Sequence, residues 1–278
     1  MNKLVSLQKA IELIKDNDLV ALGGNVLHRA PMAACREMAR QQKKGLRLIK
    51  TAGAMDVDIL CLAGCAASVD AGFISYESEF GLAANYRKAV QEGRVAGNEH
   101  ACYTVISALR AGSAGIPFMP VRGLQISDLI EVNDYFTKIQ DPFSGEMVTV
   151  VRALAPDVAV IHVHEADVNG NAIIHGPKFE DVLMTRAAKK VIVTAETIVP
   201  DNRFAFAKEK ADVPHFLVNA VVHVPKGAFP CDCPEKYGIN REAIKAFKAI
   251  KTQEELSSYL ERNEATDYQG RGGGVRAW

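Results

Sequence analysis

The residues best placed to do chemistry fall in one short stretch: Gly23-Gly24-Asn25, then His28 and Arg29, directly after the apolar run Leu19 to Leu22. Two successive glycines let the backbone approach a ligand closely, so amides around Gly24 and Asn25 are candidates to face an oxyanion or a thioester carbonyl. Asn25, His28 and Arg29 would ring that site at the carboxyl end of a strand, where open α/β sheets bind ligands. The bland alternative is an ordinary strand-to-helix turn, since the glycines lack the Gly-x-Gly-x-x-Gly spacing of a dinucleotide site.

Other candidates carry a structural reading beside the chemical one. Glu79, with Ser78 before it, and Glu99, ahead of the helix that contains Tyr103, both suit a helix start, where the macrodipole favours an acid. His162 and His164 alternate along one strand and share a face, as a metal pair awaiting a third ligand would. No third ligand is identifiable, and hydrogen-bonded structural histidines are expected instead. Cys61 with Cys65, and Cys231 with Cys233, lack the matching second pair of a zinc site. No bound metal is expected.

The elements that must position these residues follow from composition and periodicity. With 278 residues, 48% of them apolar, the chain buries a sizeable core as one domain. Its 33 Lys plus Arg cancel its 33 Asp plus Glu, leaving no field of one sign to attract nucleic acid or an anionic membrane. Apolar runs such as 158–163 fall far short of the roughly 18 residues that cross a bilayer, and the amino terminus lacks an export pattern. Six sparse cysteines point to free thiols in a reducing, cytoplasmic compartment.

Helical spacing over 6–16 is followed by the run 19–22, a glycine turn, and a helix opened by Pro31 with Met32, Cys35, Met38 and Ala39 on its apolar stripe. Strands are expected at 46–50, 68–75, 147–151, 158–164, 191–194 and 216–224, with helices at 83–92 and 100–111 among those between. Pro117 and Pro120 force extended chain, and 201–212 reads as a charged surface connection. That alternation predicts a parallel α/β fold.

Asp16-Asn17, Val20-Ala21-Leu22, Gly23-Gly24 and Pro31 resemble the A-subunit signature of the family I coenzyme A transferases. Asn25 departs from the usual phenylalanine, while Arg29 is similar to the glutaconate-type branch. Gly115-Ile116-Pro117-Phe118-Met119-Pro120, Ala166 to Asn171, Phe179-Glu180-Asp181, Val191 to Glu196 and Gly227 to Pro230 fall in family order, so the resemblance spans about 6–260.

The resemblance implies a three-layer α/β/α fold with a mostly parallel sheet and one A-subunit domain over 1–265; it leaves unexplained the tail over 266–278, which its composition marks as glycine-rich. It further implies a homologous B subunit in an A2B2 assembly, with coenzyme A and a carboxylic acid as substrates and no tightly bound cofactor. The B subunit supplies the glutamate that attacks the thioester, while Gly23, Gly24, Asn25, His28 and Arg29 line the acyl pocket. Arg29 then suggests an acyl group with a second carboxylate, which a guanidinium matches in geometry. Glu79-Phe80-Gly81 has the Glu-x-Gly form of the B-subunit nucleophile, though Phe80 replaces the usual asparagine. Glu99 or Cys102 lies where ring-opening CoA-ester hydrolases of the superfamily have a carboxylate. A hydrolase, or a binding protein for CoA esters without chemistry, are the alternatives.

Overall fold

The computed structural model describes residues 2–124, 127–206 and 210–268. Its strands are β1 (Leu19–Leu22), β2 (Leu46–Gly53), β3 (Ala66–Ile74) and β4 (Ala96–Glu99), then β5 (Phe118–Val121), β6 (Phe136–Gln140) and β7 (Met147–Arg152). After these come β8 (Val158–Asp167), β9 (Ala172–Ile173), β10 (Lys190–Val199) and β11 (Ala220–His223). The main sheet runs β11-β10-β8-β1-β2-β3-β4, parallel throughout, with β9 added antiparallel to β8.

All four residues of β1 are buried, as a central parallel strand covered on both faces requires. Its side chains alternate between two cores. Val20 and Leu22, with Val158 and Val160 of β8, pack under the helices Met32–Arg40 and Met55–Leu62. Leu19 and Ala21, with Ala159 and Ile161, meet the helices Cys102–Ala114 and Asp181–Ala187 on the other face. The result is the expected three-layer α/β/α arrangement. From β1 the chain fills the sheet outward through β2, β3 and β4, and only later through β8, β10 and β11 on the other side. Strand order therefore reverses at β1, and the crevice beyond its carboxyl end is where such sheets take ligands.

Several expected elements differ in extent. The first helix covers only Leu7–Ile11, capped by Ser6, because the Asp18 carboxylate captures the Lys15 amide at 2.8 Å and Leu13 and Ile14 close tighter i→i−3 bonds. The expected strand over 216–224 begins only at Ala220. Ahead of it His215–Leu217 forms a 3-10 turn, whose His215 amide is held by Asn171 Oδ1 at 3.0 Å. Cys65 lies beyond the end of the helix Met55–Leu62, past Gly64 in the left-handed region, so Cys61 and Cys65 do not share a helical face. A small antiparallel sheet, β5-β7-β6, occupies the Pro117–Arg152 region, where only one strand was expected. The last helix, Gln253–Tyr268, extends past 265, and the glycine-rich stretch 270–274 lies outside the described residues. No helix among the described residues is long and apolar enough to cross a membrane.

The helix Cys102–Ala114 is seated by Gly112, where an added Cβ would collide with the Leu154 carbonyl oxygen. Helix propensity alone would make Gly112→Ala stabilising by about 0.8–1.0 kcal/mol. The collision reverses that sign, so Gly112→Ala is expected to lower the thermal midpoint; a raised midpoint would show that this helix floats on the sheet.

Candidate active site at the glycine turn

The peptide joining Gly23 to Gly24 leaves the end of β1 and is gripped at both polar ends. Its carbonyl oxygen accepts from Lys50 Nζ, at the core of β2, and its amide donates to Asp181 Oδ1 at 2.6 Å. Each gripping ion belongs to a fully buried pair: Lys50 Nζ lies 2.9 Å from Asp56 Oδ2, and Arg29 Nη2 lies 2.7 Å from Asp181 Oδ2. Arg29 also donates to the His162 carbonyl at 2.9 Å and the Pro177 carbonyl at 2.7 Å. Gly24 takes φ +71, and a Cβ there would strike the backbone of His28 and Arg29. Only glycine makes this turn without strain.

This geometry corrects two expectations. The amides of Gly24 and Asn25 are not free for an oxyanion: the first serves Asp181, and the second donates to the His28 carbonyl at 2.8 Å. The neighbouring amides of Gly23, Val26, His28 and Arg29 likewise bond within the protein, so the turn offers side chains rather than backbone donors. Arg29 points inward with no exposed surface, and its guanidinium braces Asp181 instead of meeting solvent. A residue type suited to a substrate carboxylate is committed to a carboxylate of its own chain.

What remains open is a rim. His28 is exposed, and its Nδ1 lies 2.7 Å from Asp232 Oδ2, a hydrogen bond that lifts its pKa above the ordinary 6.5. Asn25 is half-buried beside it. The Phe179 ring stacks on His28 at a centroid distance of 6.4 Å and lies 5.4 Å from the Arg29 guanidinium carbon. Val26, Arg29 and Phe179 all take positive φ, so strained backbone concentrates where the turn meets the Pro177–Asp181 segment.

The two candidate carboxylates lie elsewhere. Glu79 is exposed in the short helix Glu77–Phe80 and pairs with Arg241, whose Nε lies 2.5 Å away. Glu99 is the exposed last residue of β4, since β4 pairs with β3 and the helix starts only at Cys102. It is therefore not a helix-start acid. Among the described residues neither carboxylate bonds to the glycine turn. Sequence reading missed Lys50, Asp56, Asp181 and Asp232; a lysine closing an apolar strand was the one local signal, because the other three meet the turn only through the fold.

His162 and His164 do share one buried face of β8, but the cluster of potential ligands joins His162 to Glu196 and Cys233 rather than to His164. The ligand atoms of His162, Glu196 and Cys233 lie within 4.8 Å of one another. Their polar atoms are already engaged within the protein: Glu196 Oε1 lies 2.8 Å from His162 Nε2 and accepts from Tyr237 at 2.5 Å, Oε2 accepts the Lys226 amide at 2.8 Å, and Cys233 Sγ lies 3.4 Å from His164 Nε2. Burial raises the Glu196 pKa, but these partners outweigh it and hold the carboxyl at about 2. Burial pushes the Cys233 thiol up to about 12, which disfavours the thiolate a metal needs. The cluster reads as an internal hydrogen-bond network.

Residues 4–224 match the coenzyme A transferase family, to which the chain belongs. It is 31% identical to the A subunit of glutaconate CoA-transferase from Acidaminococcus fermentans, over 93% of this chain and 87% of that one. It is 35% identical to the A subunit of 3-oxoadipate CoA-transferase from Pseudomonas knackmussii, over 83% and 82%. The crystal structure of the Acidaminococcus enzyme superposes with a TM-score of 0.89 at 29% identity, covering 99% of this chain and 94% of that one. At 29% identity, over 96% and 95%, the chain is also similar to a cholesterol ring-cleaving hydrolase IpdA subunit of Rhodococcus jostii. An uncharacterised protein of Archaeoglobus fulgidus is 36% identical, and the chain spans 59% of its length.

Removing one member of a fully buried ion pair strands the other, at a cost of about 3–5 kcal/mol. Arg29→Met and Asp181→Leu should each lose that much in urea unfolding, and the double variant should lose clearly less than their sum. Additive losses would show that the pair does not hold the turn. Because its pKa is raised, His28 adds stability below pH 6.5 that fades as pH rises through the lifted value. Asp232→Asn should return the His28 titration toward 6.5 by NMR; an unmoved midpoint would remove Asp232 as the cause.

Proposed function

We propose that this chain is the A-type half of a coenzyme A transferase that moves CoA between an acyl-CoA and a carboxylic acid. The observation that carries the reading is the doubly clamped Gly23–Gly24 peptide at the carboxyl end of β1, in a chain of this family. Gly23 and Gly24 form the floor of the acyl pocket, Asn25 and His28 its rim, and Arg29 the brace beneath. Coenzyme A enters as a substrate. The thioester carbonyl carbon is attacked by a glutamate carboxylate of a companion B subunit, CoA leaves as thiolate, and an acyl-glutamyl anhydride holds the activated group. The thiolate then attacks the glutamyl carbonyl, releasing the first acid and leaving a glutamyl-CoA thioester; the acceptor carboxylate attacks that thioester, expelling CoA thiolate and forming a second anhydride, whose acyl carbonyl the thiolate attacks to give the new acyl-CoA and free the glutamate.

Relatives named as A subunits support a separate B subunit, and we infer an A2B2 assembly. Six free cysteines support a cytoplasmic, reducing setting. Arg29 is spent on Asp181, so its effect on substrates is through the shape of the turn, and mono- and dicarboxylates should suffer alike from its loss. The likeness to a ring-cleaving hydrolase favours a second reading, in which water replaces the acceptor acid and Glu99 activates it.

Mixing the chain with the product of its companion gene, an acyl-CoA and an isotopically labelled acid decides between these readings. Transfer of CoA to the labelled acid is expected, with borohydride trapping a modified glutamate on the companion. Free CoA released without an acceptor, lost on Glu99→Gln, would replace transferase by hydrolase. A borohydride-modified Glu79 would move the nucleophile into this chain.

A further inference from the structure

In both steps that expel CoA, a carboxylate displaces a thiolate. The thiolate is the stronger base by about four pKa units, from ordinary values of about 4.3 for glutamate and about 8.5 for an alkyl thiol, so each expulsion runs uphill. A group that steadies negative charge on the departing sulfur speeds such a step. The donors at the base of the turn are already spent: Lys50 on Asp56 and the Gly23 carbonyl, Arg29 on Asp181, the Gly24 amide on Asp181 and the Asn25 amide on the His28 carbonyl. His28 keeps a donor open.

Its imidazole is held at one nitrogen only. Nδ1 lies 2.7 Å from Asp232 Oδ2, while Nε2 has no hydrogen-bond partner among the described residues and 46% of the side chain is exposed. Asp232 depends on that contact, because its other oxygen, Oδ1, is shut off from water and unbonded. A carboxylate so placed favours a proton on both ring nitrogens, which leaves Nε2–H free to donate. The Asp232 hydrogen bond raises the His28 pKa most; burial opposes it, the charges of Asp232 and Glu77 add to it, and Arg29 opposes it.

The backbone fixes the two residues against each other. The Asp232 amide donates to the Leu27 carbonyl and the Arg29 amide to the Asp232 carbonyl, each at 2.9 Å. Val26 and Arg29 on the same turn, Phe179 stacked on the ring, and Glu77, whose charge reaches it, all hold positive φ. Strained backbone gathered round one exposed side chain points to a function there.

With an acyl group seated on the clamped peptide, CoA extends outward past the rim, and the thioester sulfur passes His28. We propose that His28 is a catalytic residue of CoA transfer, its Nε2–H donating a hydrogen bond to the CoA sulfur as the C–S bond breaks, with Asp232 as its positioning residue. The inference rests on the transferase reading. As the companion's glutamate oxygen bonds to the acyl carbon, the C–S electron pair passes to sulfur, and the imidazolium holds the thiolate without giving up its proton. The thiolate leaves this contact when it attacks the glutamyl carbonyl.

The test uses the complex of this chain with its companion, and titrates the thiol of bound coenzyme A by the ultraviolet absorbance of its thiolate. In the wild type the thiol should ionise at least about one pKa unit below that of free CoA, a tenfold gain in thiolate, and in His28→Gln it should return toward the free value. His28→Gln should also lower kcat/KM for acyl-CoA at least about tenfold. In the wild type kcat/KM should fall as pH rises through the lifted His28 value; Asp232→Asn should move that fall to lower pH, toward 6.5, and His28→Gln should remove it. A purely structural role would move neither titration. An unshifted thiol in the wild type, an equal shift in His28→Gln, or a pH profile that neither substitution changes would overturn the proposal. If the wild-type complex transfers nothing, the transferase reading fails by itself. The thiol titration then decides the inference: a shift lost in His28→Gln sustains it, and no shift, or no binding of CoA, ends it.

Discussion

A single peptide unit, between Gly23 and Gly24, has its carbonyl held by a buried ammonium and its amide by a buried carboxylate. Each of these ions is costly to desolvate, and each is compensated by a partner of its own, Asp56 for Lys50 and Arg29 for Asp181. The four charges cancel, so the cluster imposes shape without a net field on whatever sits above it. Charge-assisted hydrogen bonds of this kind are shorter and stronger than neutral ones, and removing any one member strands the rest. The positive φ of Val26, Arg29 and Phe179 shows what the clamp restrains: backbone that would relax elsewhere is held in place around the turn.

The placement of that clamp follows from topology. Lys50 reaches the turn because β2 lies directly beside β1, and Asp181 reaches it from the start of a helix packed on the opposite face. His162, whose carbonyl accepts from Arg29, belongs to β8, the other neighbour of β1. The point at which strand order reverses thus draws a brace from each side, and the open rim of Asn25, His28 and Phe179 rests on a base that cannot drift.

Features that depend on local pattern were legible in the sequence, and features that depend on what meets what across the fold were not. The all-apolar run at β1, the glycine pair and the alternation of strands and helices already specified a parallel α/β sheet with a tight turn after its first strand. The small antiparallel sheet is not marked in the sequence because β5 carries Pro120 and β6 sets two polar residues, Thr137 and Lys138, side by side, neither pattern being a strong strand signal. Arg29 was recognised as chemically important, yet its direction was not, because Asp181 lies 152 residues downstream. The amides of the turn were misjudged for the same reason: a glycine pair shows that backbone can come close to something, without showing that the something is the protein's own aspartate. Glu99 was placed at a helix start because β4 is short and weakly apolar, and only its pairing with β3 reveals the strand.

On the proposed reading, in which the attacking carboxylate belongs to a companion chain, a rigid wall is a coherent half of an enzyme. Transfer through a covalent carboxylate demands that the thioester carbonyl and the incoming oxygen meet within a few tenths of an ångström of the productive geometry, and small misplacements cost orders of magnitude in rate. If the nucleophile arrives on another chain, the chain that seats the acyl group must contribute order that does not depend on the partner's presence. Buried ion pairs meet that requirement where backbone amides facing solvent would not, because each ion keeps its opposite charge within its own chain when the two halves are apart. The internal bonding of the Gly23, Gly24, Asn25, Val26, His28 and Arg29 amides, which removes the simple oxyanion-hole picture, is then, on the proposed reading, the same property that would let this chain hold its half of a pocket ready before the pocket is complete.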